Sequence, residues 1–479
     1  MANLDLGNTQ IATKVPFNNG PIHFVGIGGI GMSGIAEVML NLGYVVQGSD
    51  GRETEITKRL TKLGATIYLG QKSSQVHGVE AVVMSSAISA DNPELVEARL
   101  MSIPIVRRAE MLAELMRLKW AIAVGGTHGK TTTTTMISAL LEGGNLDPTV
   151  INGGIINAYG SNAKLGLGDW MVVEADESDG SFLKLFPTIA VVTNIDPEHL
   201  EHYGSFDRLR DAFKIFVENL PFYGFAVLCI DDPEVQALAS RVTDRRAITY
   251  GFNPQADLRA ENLELSTMGS FFDVVFKDSK EEEKKWERLF LPMAGRHNVQ
   301  NALSAIAVSR ELNLSEAQVR EGLQTFAGVK RRFTYLGNFE GASVIDDYGH
   351  HPVEISAVLQ AARQVSKGKV HAVMQPHRFS RLKELFNDFS TCFNEADFVY
   401  IADIYPAGEK PIENLNSLTL VNSIISHGHK HAVCITKDNL PKTLKRNVHE
   451  GDIIVCLGAG DITYWASNLV DKGNINVTY

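Results

Sequence analysis

The sequence has few cysteines and lacks any long apolar run. The four cysteines of this 479-residue chain lie far apart, and none forms a Cys-x-x-Cys pair, which argues against a disulfide scaffold. They are Cys229, Cys392, Cys434 and Cys456. The apolar stretches 225–230 and 453–457 are far shorter than the ~20 residues of a membrane-spanning helix. We therefore expect reduced cysteines in the core and no membrane partner.

The chain also lacks an excess of positive charge. It contains 45 Lys and Arg against 56 Asp and Glu, which leaves a formal net charge of −11. This balance argues against a nucleic-acid partner, but a locally basic pocket could still hold an anionic small molecule. Residues 1–17 contain no charged start followed by an apolar core, so no signal peptide is predicted. Together with the reduced cysteines, this predicts a cytoplasmic protein.

What the chain does have is the composition and periodicity of an α/β protein. Hydrophobic residues make up 44% and charged residues 21%, which is typical of globular domains. Short β-branched runs alternate with helical patterns, as in parallel sheets covered by helices. At about 150 residues per domain we expect three domains, at residues 1–119, 120–330 and 331–479. Short alternating runs between about 250 and 291 predict a small antiparallel patch, and residues 297–312 predict an amphipathic helix.

The first glycine-rich segment is Gly26-Ile-Gly28-Gly-Ile-Gly31, between a predicted strand at 22–27 and a predicted helix at 28–42. This Gly-x-Gly-x-x-Gly context lets the backbone approach a pyrophosphate at a helix N-terminus. Asp50 ends the next predicted strand, where an acidic residue meets a ribose hydroxyl in dinucleotide folds. Taken alone, the segment favours NAD or FAD, with another nucleotide diphosphate or a purely structural turn as alternatives.

The second glycine-rich segment is Gly125-Gly-Thr-His-Gly-Lys130-Thr131-Thr132, which follows a predicted strand at 120–124 and begins a helix. In a P-loop, backbone N–H groups cradle phosphate, the lysine reaches the β- and γ-phosphates, and the next hydroxyl ligates Mg²⁺. The usual pattern has glycine where this chain has Val124, so the segment is a variant. Because an oxidoreductase rarely carries a second, triphosphate site, the two segments favour ATP at one and an anchored nucleotide diphosphate at the other.

Acidic residues and a histidine follow two further predicted strands. Glu174 directly follows the strand at 170–173, which is the place of a Walker-B acid that binds Mg²⁺. Three more carboxylates either belong to that site or form a solvated acidic loop: Asp176, Glu177 and Asp179. His199 follows the next strand and could ligate a second metal ion, contact phosphate or be structural.

The last part of the chain carries further candidate ligands. Asn298, at the start of the helix predicted at 297–312, could read an adenine edge or cap that helix. The run Asp-Tyr-Gly-His-His at 347–351 lies between a predicted strand and a predicted helix. Arg378 and Arg381 are three residues apart, which suits bidentate binding of carboxylate or phosphate; the alternative is a pair of surface arginines.

Taken together, these segments resemble the Mur ligase family. The resemblance rests on Gly126-Thr-His-Gly-Lys-Thr131, Glu174-Ala-Asp-Glu-Ser-Asp179, Thr193-Asn-Ile-Asp-Pro-Glu-His199 and Asp347-Tyr-Gly-His-His-Pro352. Four more segments are similar to the alanine-adding members: residues 24–36, Gly48-Ser-Asp50, Asn152-Gly-Gly154 and Pro376-His-Arg-Phe-Ser-Arg381. The resemblance covers residues 21–469. It implies a Rossmann-like N-terminal domain, a P-loop-type central ATPase domain and a Rossmann-like C-terminal domain.

The resemblance also implies an activity. It is that of an ADP-forming ligase of peptidoglycan precursor synthesis, which joins L-alanine to the lactyl carboxylate of UDP-N-acetylmuramate through an acyl phosphate, with ATP and Mg²⁺ or Mn²⁺. The N-terminal domain would hold the UDP-sugar, the central domain would hold ATP, and the C-terminal domain would close over ATP and the amino acid. We expect a monomer or weak homodimer.

By the same resemblance, individual residues receive roles. The UDP-sugar would contact Gly28, Gly29, Gly31, Ser49, Asp50, Asn152 and Gly153. ATP would contact Gly126, Thr127, His128, Gly129, Lys130, Thr131, Thr132, Asn298, Arg332 and Asp347. The metal ions would be held by Thr131, Glu174 and His199, and the muramate and amino-acid end would face Tyr348, His350, Arg378 and Arg381. The catalytic set would be Lys130, Glu174, His199, His350 and Arg378.

Two alternatives accompany this hypothesis. One is a recycling ligase of the same family that adds a whole tripeptide to UDP-N-acetylmuramate, and the other, from a different class, is an NAD-dependent dehydrogenase. Several Mur ligases also hold the second metal ion with a carbamylated lysine. Lys214 lies in the corresponding zone, but we expect the alanine-adding members to do without this modification.

Overall fold

The chain forms two compact units. The computed structural model of the protein describes residues 20–85, 87–266, 269–277 and 283–470. Within these ranges, the first unit comprises residues 20–134, 145–227 and 234–247. The second unit comprises residues 135–144, 228–233 and 248–470. Residues 1–17, for which no signal peptide is predicted, lie outside the described part of the chain.

The first unit begins with a five-stranded parallel sheet. Its strands β1 to β5 are Ile22–Val25, Val46–Asp50, Thr66–Leu69, Ala81–Met84 and Ile105–Arg107. Helices α1 to α4 are Ile30–Asn41, Glu55–Lys62, Pro93–Leu100 and Arg108–Met116, with a 3₁₀ turn at Ser73–Val76. The strand order is β3-β2-β1-β4-β5. It reverses between β1 and β4, and ligands of such sheets bind beyond the carboxyl ends of the strands at that point.

The first unit also contains strands around the second glycine-rich segment. Strands β6 to β11 are Trp120–Gly125, Thr149–Ile156, Ser161–Lys164, Trp170–Glu174, Ile189–Val192 and Phe225–Cys229. Helix α5 is Lys130–Gly143, with residues 130–134 in the first unit and 135–143 in the second. Helices α6 to α8 are Leu200–Tyr203, Phe206–Glu218 and Pro233–Arg241, with a 3₁₀ turn at Ser181–Lys184. Strand β6 lies parallel between β9 and β10. The chain segments that follow these three strands therefore reach the same edge of the sheet.

Strands β7 and β8 form an antiparallel hairpin that packs against helix α1. A Cβ atom at Gly34, in the middle of α1, would lie 2.9 Å from the amide nitrogen of Asn162, so the helix and the hairpin are in close contact. Asn162 donates through Nδ2 to the carbonyl oxygen of Ile30. Ser161 donates through Oγ to the carboxylate of Glu37 at 3.0 Å. The hairpin thus joins the first sheet to the strands around β6.

The second unit contains the antiparallel patch that the sequence predicts. Strands β12 to β15 are Arg246–Gly251, Leu258–Ser266, Gly269–Lys277 and Glu283–Leu291. Strands β13, β14 and β15 pair in antiparallel fashion, which confirms the prediction. Helices α9 and α10 follow at Arg296–Glu311 and Glu316–Gln324.

Helix α9 differs from the predicted amphipathic helix in how it is buried. The residues from Asn301 to Ser309 are buried on every side of the helix, not along one stripe. Small residues such as Ala302, Ser304 and Ala305 alternate with larger apolar ones along the helix. A helix buried all round shows no polar face, so the expectation of one apolar side is wrong here.

The last part of the second unit is a six-stranded sheet. Strands β16 to β21 are Thr334–Phe339, Ala342–Asp347, Val370–Met374, Phe398–Ile401, Ala432–Cys434 and Ile453–Leu457. Helices α11 to α16 are Pro352–Val365, Phe379–Glu384, Phe386–Thr391, Ser417–Ser426, Leu440–Lys445 and Ile462–Leu469. The order is β16-β17-β21-β18-β19-β20, and β16 is antiparallel to its neighbour. Buried clusters cover both faces.

The four cysteines are free, but not all of them lie in the core. Cys229 and Cys456 are buried, Cys392 is half-buried and Cys434 is exposed. Cys434 ends the edge strand β20, where one face of the sheet meets solvent, so the expectation of a core position is wrong for this residue. Across the described ranges, no helix is both long enough and apolar enough to cross a bilayer.

Candidate active site

The first glycine-rich segment is held by the end of strand β2. The N–H groups of Gly26 and Ile27 donate to the carbonyl oxygen of Ser49 at 2.8 and 3.0 Å. The N–H of Gly28 donates to Oδ2 of Asp50 at 2.9 Å. The acidic residue expected to meet a ribose therefore already lies against the loop, close to the start of α1, where free helix N–H groups favour an anion.

Ser49 has a different role from the expected ligand contact. Its side chain is fully buried, and its hydroxyl donates to Oε2 of Glu94 at 2.6 Å. The other carboxylate oxygen of Glu94 lies 3.1 Å from Nε2 of His23, and both of these side chains are also buried. The Ser49 hydroxyl is thus shielded from a ligand and supports the strand end that holds the loop.

Arg108 lies beside the first segment, although sequence reasoning did not select it. A Cβ atom at Gly31 would lie 3.2 Å from Cδ of Arg108, so the arginine packs against the third glycine of the motif. Its Nη2 lies 3.4 Å from Oδ2 of Asp176. A guanidinium offers planar N–H donors suited to phosphate. The sequence signal that could have found it is the pair Arg107-Arg108, at the end of strand β5.

The second glycine-rich segment is held by the chain that follows strand β10. Gly126 has φ of +129°, and a Cβ atom there would lie 2.1 Å from Oγ1 of Thr193, so only glycine fits. The N–H of His128 donates to Oδ1 of Asn194 at 2.7 Å, and Nδ2 of Asn194 donates to the carbonyl oxygen of His128 at 3.1 Å. Thr193 and Asn194 therefore shape the loop, whereas sequence reasoning took only His199 from this segment.

The remaining residues predicted to bind ATP continue the same loop into helix α5. The hydroxyl of Thr127 accepts from the N–H of Asp196 at 2.8 Å. Gly129 has φ of +81°, a left-handed conformation that glycine adopts without strain. Thr131 and Thr132 are buried in the first turn of the helix. Residues 126–132 thus form one connected strand–loop–helix element.

Lys130 folds back over its own loop. Its Nζ donates to the carbonyl oxygens of Gly126 and Thr127 at 2.6 and 3.0 Å, and it lies 3.0 and 2.8 Å from the two carboxylate oxygens of Glu177. Burial by itself would lower the pKa of Lys130, but the neighbouring carboxylates, above all that of Glu177, outweigh burial and leave the pKa raised. Lys130 is therefore an ammonium group.

The acidic segment after strand β9 is not a solvated loop. Glu177 is 1% exposed, and burial raises its pKa to about 7 even though Lys130 opposes that shift. Glu174 accepts through Oε2 from the N–H of Gly153 at 2.9 Å. Asp179 accepts from the N–H of Ser181 at 3.0 Å. These carboxylates have different hydrogen-bond partners, while Glu174, Asp176 and Glu177 all act on the charge of Lys130.

Asn152 and Gly153, which the resemblance assigns to the UDP-sugar, lie beside the second glycine-rich segment. Asn152 is buried, and its Nδ2 donates to the carbonyl oxygen of Thr131 at 3.4 Å. A Cβ atom at Gly153 would lie 2.5 Å from Oε1 of Glu174. Strand β7 runs parallel to β9, which brings both residues next to Thr131 and Glu174. The structure therefore associates them with the residues predicted to hold the metal ion.

His199 lies among carboxylates where helix α6 begins. Its Nε2 lies 3.9 Å from Oε1 of Glu177 and 3.7 Å from Oε2 of Glu198, and its Nδ1 lies 3.8 Å from Oε1 of Glu201. The residue has φ of +57°, which is uncommon outside glycine and typical of constrained functional sites. Three carboxylates around one imidazole form a place that attracts a cation.

Lys214, the candidate for carbamylation, lies on helix α7. Its Nζ is 3.3 Å from Oε1 of Glu218, one helical turn away, and its side chain is 34% exposed. An i,i+4 pair of this kind is an ordinary feature of a helix surface. The ammonium is thus engaged in a partly exposed ion pair.

In the second unit, Asn298 lies in the first turn of helix α9. Its Nδ2 donates to the carbonyl oxygen of Ala294 at 2.7 Å, and the N-cap of the helix is Gly295, with φ of +105°. The capping alternative for Asn298 is therefore wrong. Burial, assisted by the charge of Arg332, lowers the pKa of the neighbouring His297 to about 4, so this imidazole is neutral at pH 7.

An arginine–aromatic stack lies near the start of the same helix. The guanidinium carbon of Arg296 is 3.6 Å from the ring centroid of Phe252. The N–H of Phe252 donates to both carboxylate oxygens of Asp231 at 2.9 and 2.8 Å, and Gln300 donates to Asp231 at 2.6 Å. Sequence reasoning missed these residues because they come from three separate segments without a shared motif.

Asp347 ends strand β17 and is buried. Its two carboxylate oxygens accept from the N–H groups of Phe333 at 2.7 Å and Gly349 at 2.6 Å. Burial raises the pKa of Asp347 to about 6, although Arg332 opposes this shift. Arg332 in turn lies 3.7 Å from the carboxylate of Glu354. Asp347 therefore fixes the chain on both sides of the strand end.

Tyr348 and His350 form a cluster with His377. The ring centroids of Tyr348 and His350 are 5.2 Å apart, and those of His350 and His377 are 6.0 Å apart. Burial lowers the pKa of both histidines to about 4, so they are neutral at pH 7. Arg331 and Arg332 lie over the Tyr348 ring at 5.0 and 5.3 Å. His377 is a member of the cluster that sequence reasoning quoted without selecting.

Arg378 and Arg381 lie at the start of helix α12. The backbone of Arg378 has φ of +71°, and its N–H donates to the carbonyl oxygen of Tyr405 at 2.9 Å, while its side chain is exposed. Arg381 donates through Nη1 to the carbonyl oxygen of His377 at 3.5 Å. Of the two arginines, Arg381 is the one bonded to the histidine cluster.

Three segments of the chain match Mur ligase sequence profiles. Residues 21–120 match the profile described as Mur ligase family, catalytic domain. Residues 124–309 match the Mur ligase middle domain, and residues 331–460 match the Mur ligase, glutamate ligase domain. Together these profiles cover well over half of the chain.

The chain is also similar to whole proteins. It is 65% identical to a UDP-N-acetylmuramate–L-alanine ligase of Maricaulis maris, over 95% of this chain and 97% of the relative. It is 59% identical to a relative of the same name from Phenylobacterium zucineum, over 94% and 95%. The crystal structure of a UDP-N-acetylmuramate–alanine ligase from Thermotoga maritima matches with a TM-score of 0.78 and 33% identity, over 94% of this chain and 98% of that one.

Proposed function

The chain belongs to the Mur ligase family, and from this we propose that it joins L-alanine to the lactyl carboxylate of UDP-N-acetylmuramate. ATP is the co-substrate, and ADP and phosphate are released. The observation that carries this proposal is the 65% identity to an alanine ligase over nearly the whole length of both chains. The tripeptide-adding and NAD-dependent alternatives are not favoured, because the relatives of high identity are alanine ligases.

The reaction needs activation of a carboxylate. A carboxylate is a poor acyl donor because oxide would have to leave. Transfer of the γ-phosphoryl group of ATP to a carboxylate oxygen gives an acyl phosphate and ADP. The amine of L-alanine then attacks the carbonyl carbon, and the tetrahedral intermediate expels phosphate as the amide bond forms and the nitrogen loses its proton. Because the carboxylate and the γ-phosphate are both anions, the site must first bring two negative charges together.

Lys130 is the group placed to offset that repulsion. It is an ammonium within a glycine-rich strand–loop–helix element, and its Nζ is 2.6 Å from a carbonyl oxygen of the loop itself. In the proposed complex it contacts the β- and γ-phosphates while the backbone N–H groups of residues 126–132 surround them. Asn298, Arg332 and Asp347 are proposed as ATP contacts on the family resemblance alone.

The donor set of the first unit fits a divalent cation. The hydroxyl of Thr131 and the carboxylate of Glu174 are oxygen donors, which Mg²⁺ and Mn²⁺ prefer. Gly153 lies against both oxygens of Glu174, and this orients the carboxylate. We propose that Thr131 and Glu174 hold one ion and that His199, with its surrounding carboxylates, lies at a second. The bound ion supplies positive charge that stabilises the negative charge shared by the phosphates.

The first sheet is the proposed site for the UDP-sugar. The Gly26–Gly31 turn, Asp50 and Arg108 lie together at the switch between β1 and β4, where a nucleotide diphosphate would bind. Tyr348, His350, Arg378 and Arg381 are proposed for the muramate and amino-acid end. The proposed domain boundaries near 119 and 330 are supported by profile matches that end at 120 and begin at 331.

A product assay tests the function. The purified protein is mixed with UDP-N-acetylmuramate and Mg-ATP, and ADP release and the mass of the product are followed with L-alanine, glycine, L-serine or a tripeptide. We expect the L-alanine adduct to dominate. We also propose the cytoplasm as the cellular site of the reaction and a monomer or weak homodimer as the active species. Stimulation by the tripeptide alone would contradict the proposal, as would reduction of NAD without ADP release.

A further inference from the structure

The ammonium of Lys130 already has a full set of partners. Its Nζ contacts two loop carbonyl oxygens, of Gly126 and Thr127, at 2.6 and 3.0 Å, and both carboxylate oxygens of Glu177 at 3.0 and 2.8 Å. A lysine ammonium has three N–H donors. It therefore cannot donate to a phosphate oxygen without weakening or breaking one of these contacts.

Among the partners of Lys130, the Glu177 carboxylate is the one that a phosphate would displace most readily. The two carbonyl oxygens belong to the loop that would cradle the phosphates, so they stay close to Lys130 when that loop is occupied. Above its pKa of about 7 the Glu177 carboxylate instead carries a negative charge, as a phosphate does. A carboxylate with two oxygens within 3.0 Å of an ammonium makes the same kind of charge-assisted bond that a phosphate oxygen would make.

Glu177 is held in place independently of Lys130. Its side chain is 1% exposed, and its backbone carbonyl oxygen accepts from the hydroxyl of Tyr203 at 2.5 Å and from the N–H of Gly180 at 3.0 Å. These contacts fix the backbone from two separate elements. The backbone of Glu177 is therefore held in place when Lys130 turns toward a ligand, and burial leaves its side chain little room to move.

We propose that Glu177 is a positioning residue that occupies the place of a phosphate oxygen on Lys130 when no nucleotide is bound, and that competes with the nucleotide for this lysine. The inference rests on the proposed ATP site. In this role Glu177 keeps the lysine ordered and directed over the loop, and it takes the lysine back when ADP and phosphate leave. No covalent bond to Glu177 forms or breaks during the reaction.

The variant Glu177→Gln tests the competition, because it removes the charge and keeps the shape. We expect the Kd for ADP, measured by calorimetry on the full-length protein at a pH above 7, where Glu177 is ionised, to fall about tenfold, since Lys130 no longer has to leave an anion. The same gain is expected with Mg²⁺ and with EDTA. The Kd for adenosine, which has no phosphate to meet Lys130, is expected to stay unchanged.

A matched control is Glu218→Gln, which makes the same substitution in the Lys214–Glu218 pair on helix α7, where the nitrogen and oxygen are 3.3 Å apart. This variant is expected to bind ADP as the wild type does. Glu177→Asp offers a second test, because it keeps the charge and draws it back from Lys130. Its affinity for ADP is expected to lie between those of the wild type and Glu177→Gln.

Three results would overturn the proposal. One is an unchanged or weaker affinity of a folded Glu177→Gln protein for ADP. Another is a change seen only with Mg²⁺, which would make Glu177 a metal ligand. The third is an affinity of Glu177→Asp equal to or below that of the wild type. If instead the wild type itself bound neither ADP nor ATP, the proposed function would fail, and this outcome is separate because it does not involve a variant.

Discussion

The two glycine-rich segments share a backbone plan and hold groups of opposite charge. In each, a parallel strand ends in glycines and a helix begins within a few residues. In the first, the N–H of Gly28 faces the carboxylate of Asp50. In the second, the carbonyl oxygens of Gly126 and Thr127 face the ammonium of Lys130. In both segments glycine lets another group approach the backbone closely. Whether N–H groups or carbonyl oxygens point toward that group then decides whether it is an anion, as at Asp50, or a cation, as at Lys130.

The two segments also differ in how firmly their glycines are enclosed. A Cβ atom at Gly126 would lie 2.1 Å from Thr193 and 3.0 Å from its backbone nitrogen, and the backbone has φ of +129°. A Cβ atom at Gly28 would lie 2.7 Å from the far end of the Asp50 side chain, which can move. The second segment is thus enclosed by a side chain and by backbone, whereas the first is enclosed by the side chains of Asp50 and Thr57 alone.

Removing the charge of Lys130 should have the largest effect. Lys130→Ala takes away the cation that distinguishes the second segment, and we expect turnover at saturating substrates to fall roughly a thousandfold, because loss of one preorganised charge at a developing anion has effects of this size. ADP release is the measurement, and Lys214→Met is the control. Turnover within threefold of the wild type would mean that the second segment is not the ATP site.

Gly126→Ala should have the next largest effect. The new methyl group meets the Thr193 hydroxyl and, behind it, backbone atoms at 3.0 and 3.1 Å, at a φ that only glycine adopts readily, so we expect a loss of about 2–4 kcal/mol in the free energy of unfolding, measured by urea titration. Gly28→Ala is the matched comparison, and there we expect less than about 1.5 kcal/mol because Asp50 can turn away. Equal losses at the two positions would remove the proposed difference in enclosure.

Asp50→Asn should have a smaller effect that is confined to the first segment. The amide keeps an acceptor for the N–H of Gly28 but loses the negative charge, so we expect the KM for the UDP-sugar to rise about tenfold, the usual scale for one charge-assisted hydrogen bond. The KM for ATP is expected to stay the same. A change in the KM for ATP alone would contradict the assignment of Asp50 to the UDP-sugar site.

Lys214→Met should have the smallest effect. The lysine is in a partly exposed ion pair with Glu218, which is worth at most about 0.5 kcal/mol. We expect a stability change within that range, and turnover that does not depend on added bicarbonate in either protein. If bicarbonate stimulated only the wild type, Lys214 would be carbamylated and the expectation made from the sequence would be wrong.

Periodicity in the sequence located strands that are buried and apolar. The apolar run at 453–457 coincides with strand β21, Ile453–Leu457, which is buried along its whole length. The edge strand β3 was missed because its first and last residues are exposed. The edge strand β8 was missed because it is mostly polar although largely buried, and a local pattern of apolar residues does not reveal buried polar ones.

Within the site, motifs located the loops but did not assign individual side chains. The pattern Glu-Ala-Asp-Glu-Ser-Asp placed carboxylates after strand β9, yet nothing in it shows that Glu177 meets Lys130 or that Glu174 meets Gly153. The latter contact depends on β7 lying parallel beside β9, a pairing between segments that are distant in sequence. For the same reason, the bond of Ser49 to Glu94 could not be foreseen.

The contact between helix α1 and the β7–β8 hairpin has a thermodynamic consequence. One end of α1 meets the first glycine-rich segment, its middle packs on the hairpin, and β7 carries Gly153 to Glu174. If the proposed sugar nucleotide displaced α1 on binding, it would also displace the Glu174 carboxylate proposed to hold the metal ion, and the two binding free energies would be linked. Such linkage is reciprocal: any factor by which the sugar nucleotide changes the affinity for ATP is the factor by which ATP changes the affinity for the sugar nucleotide.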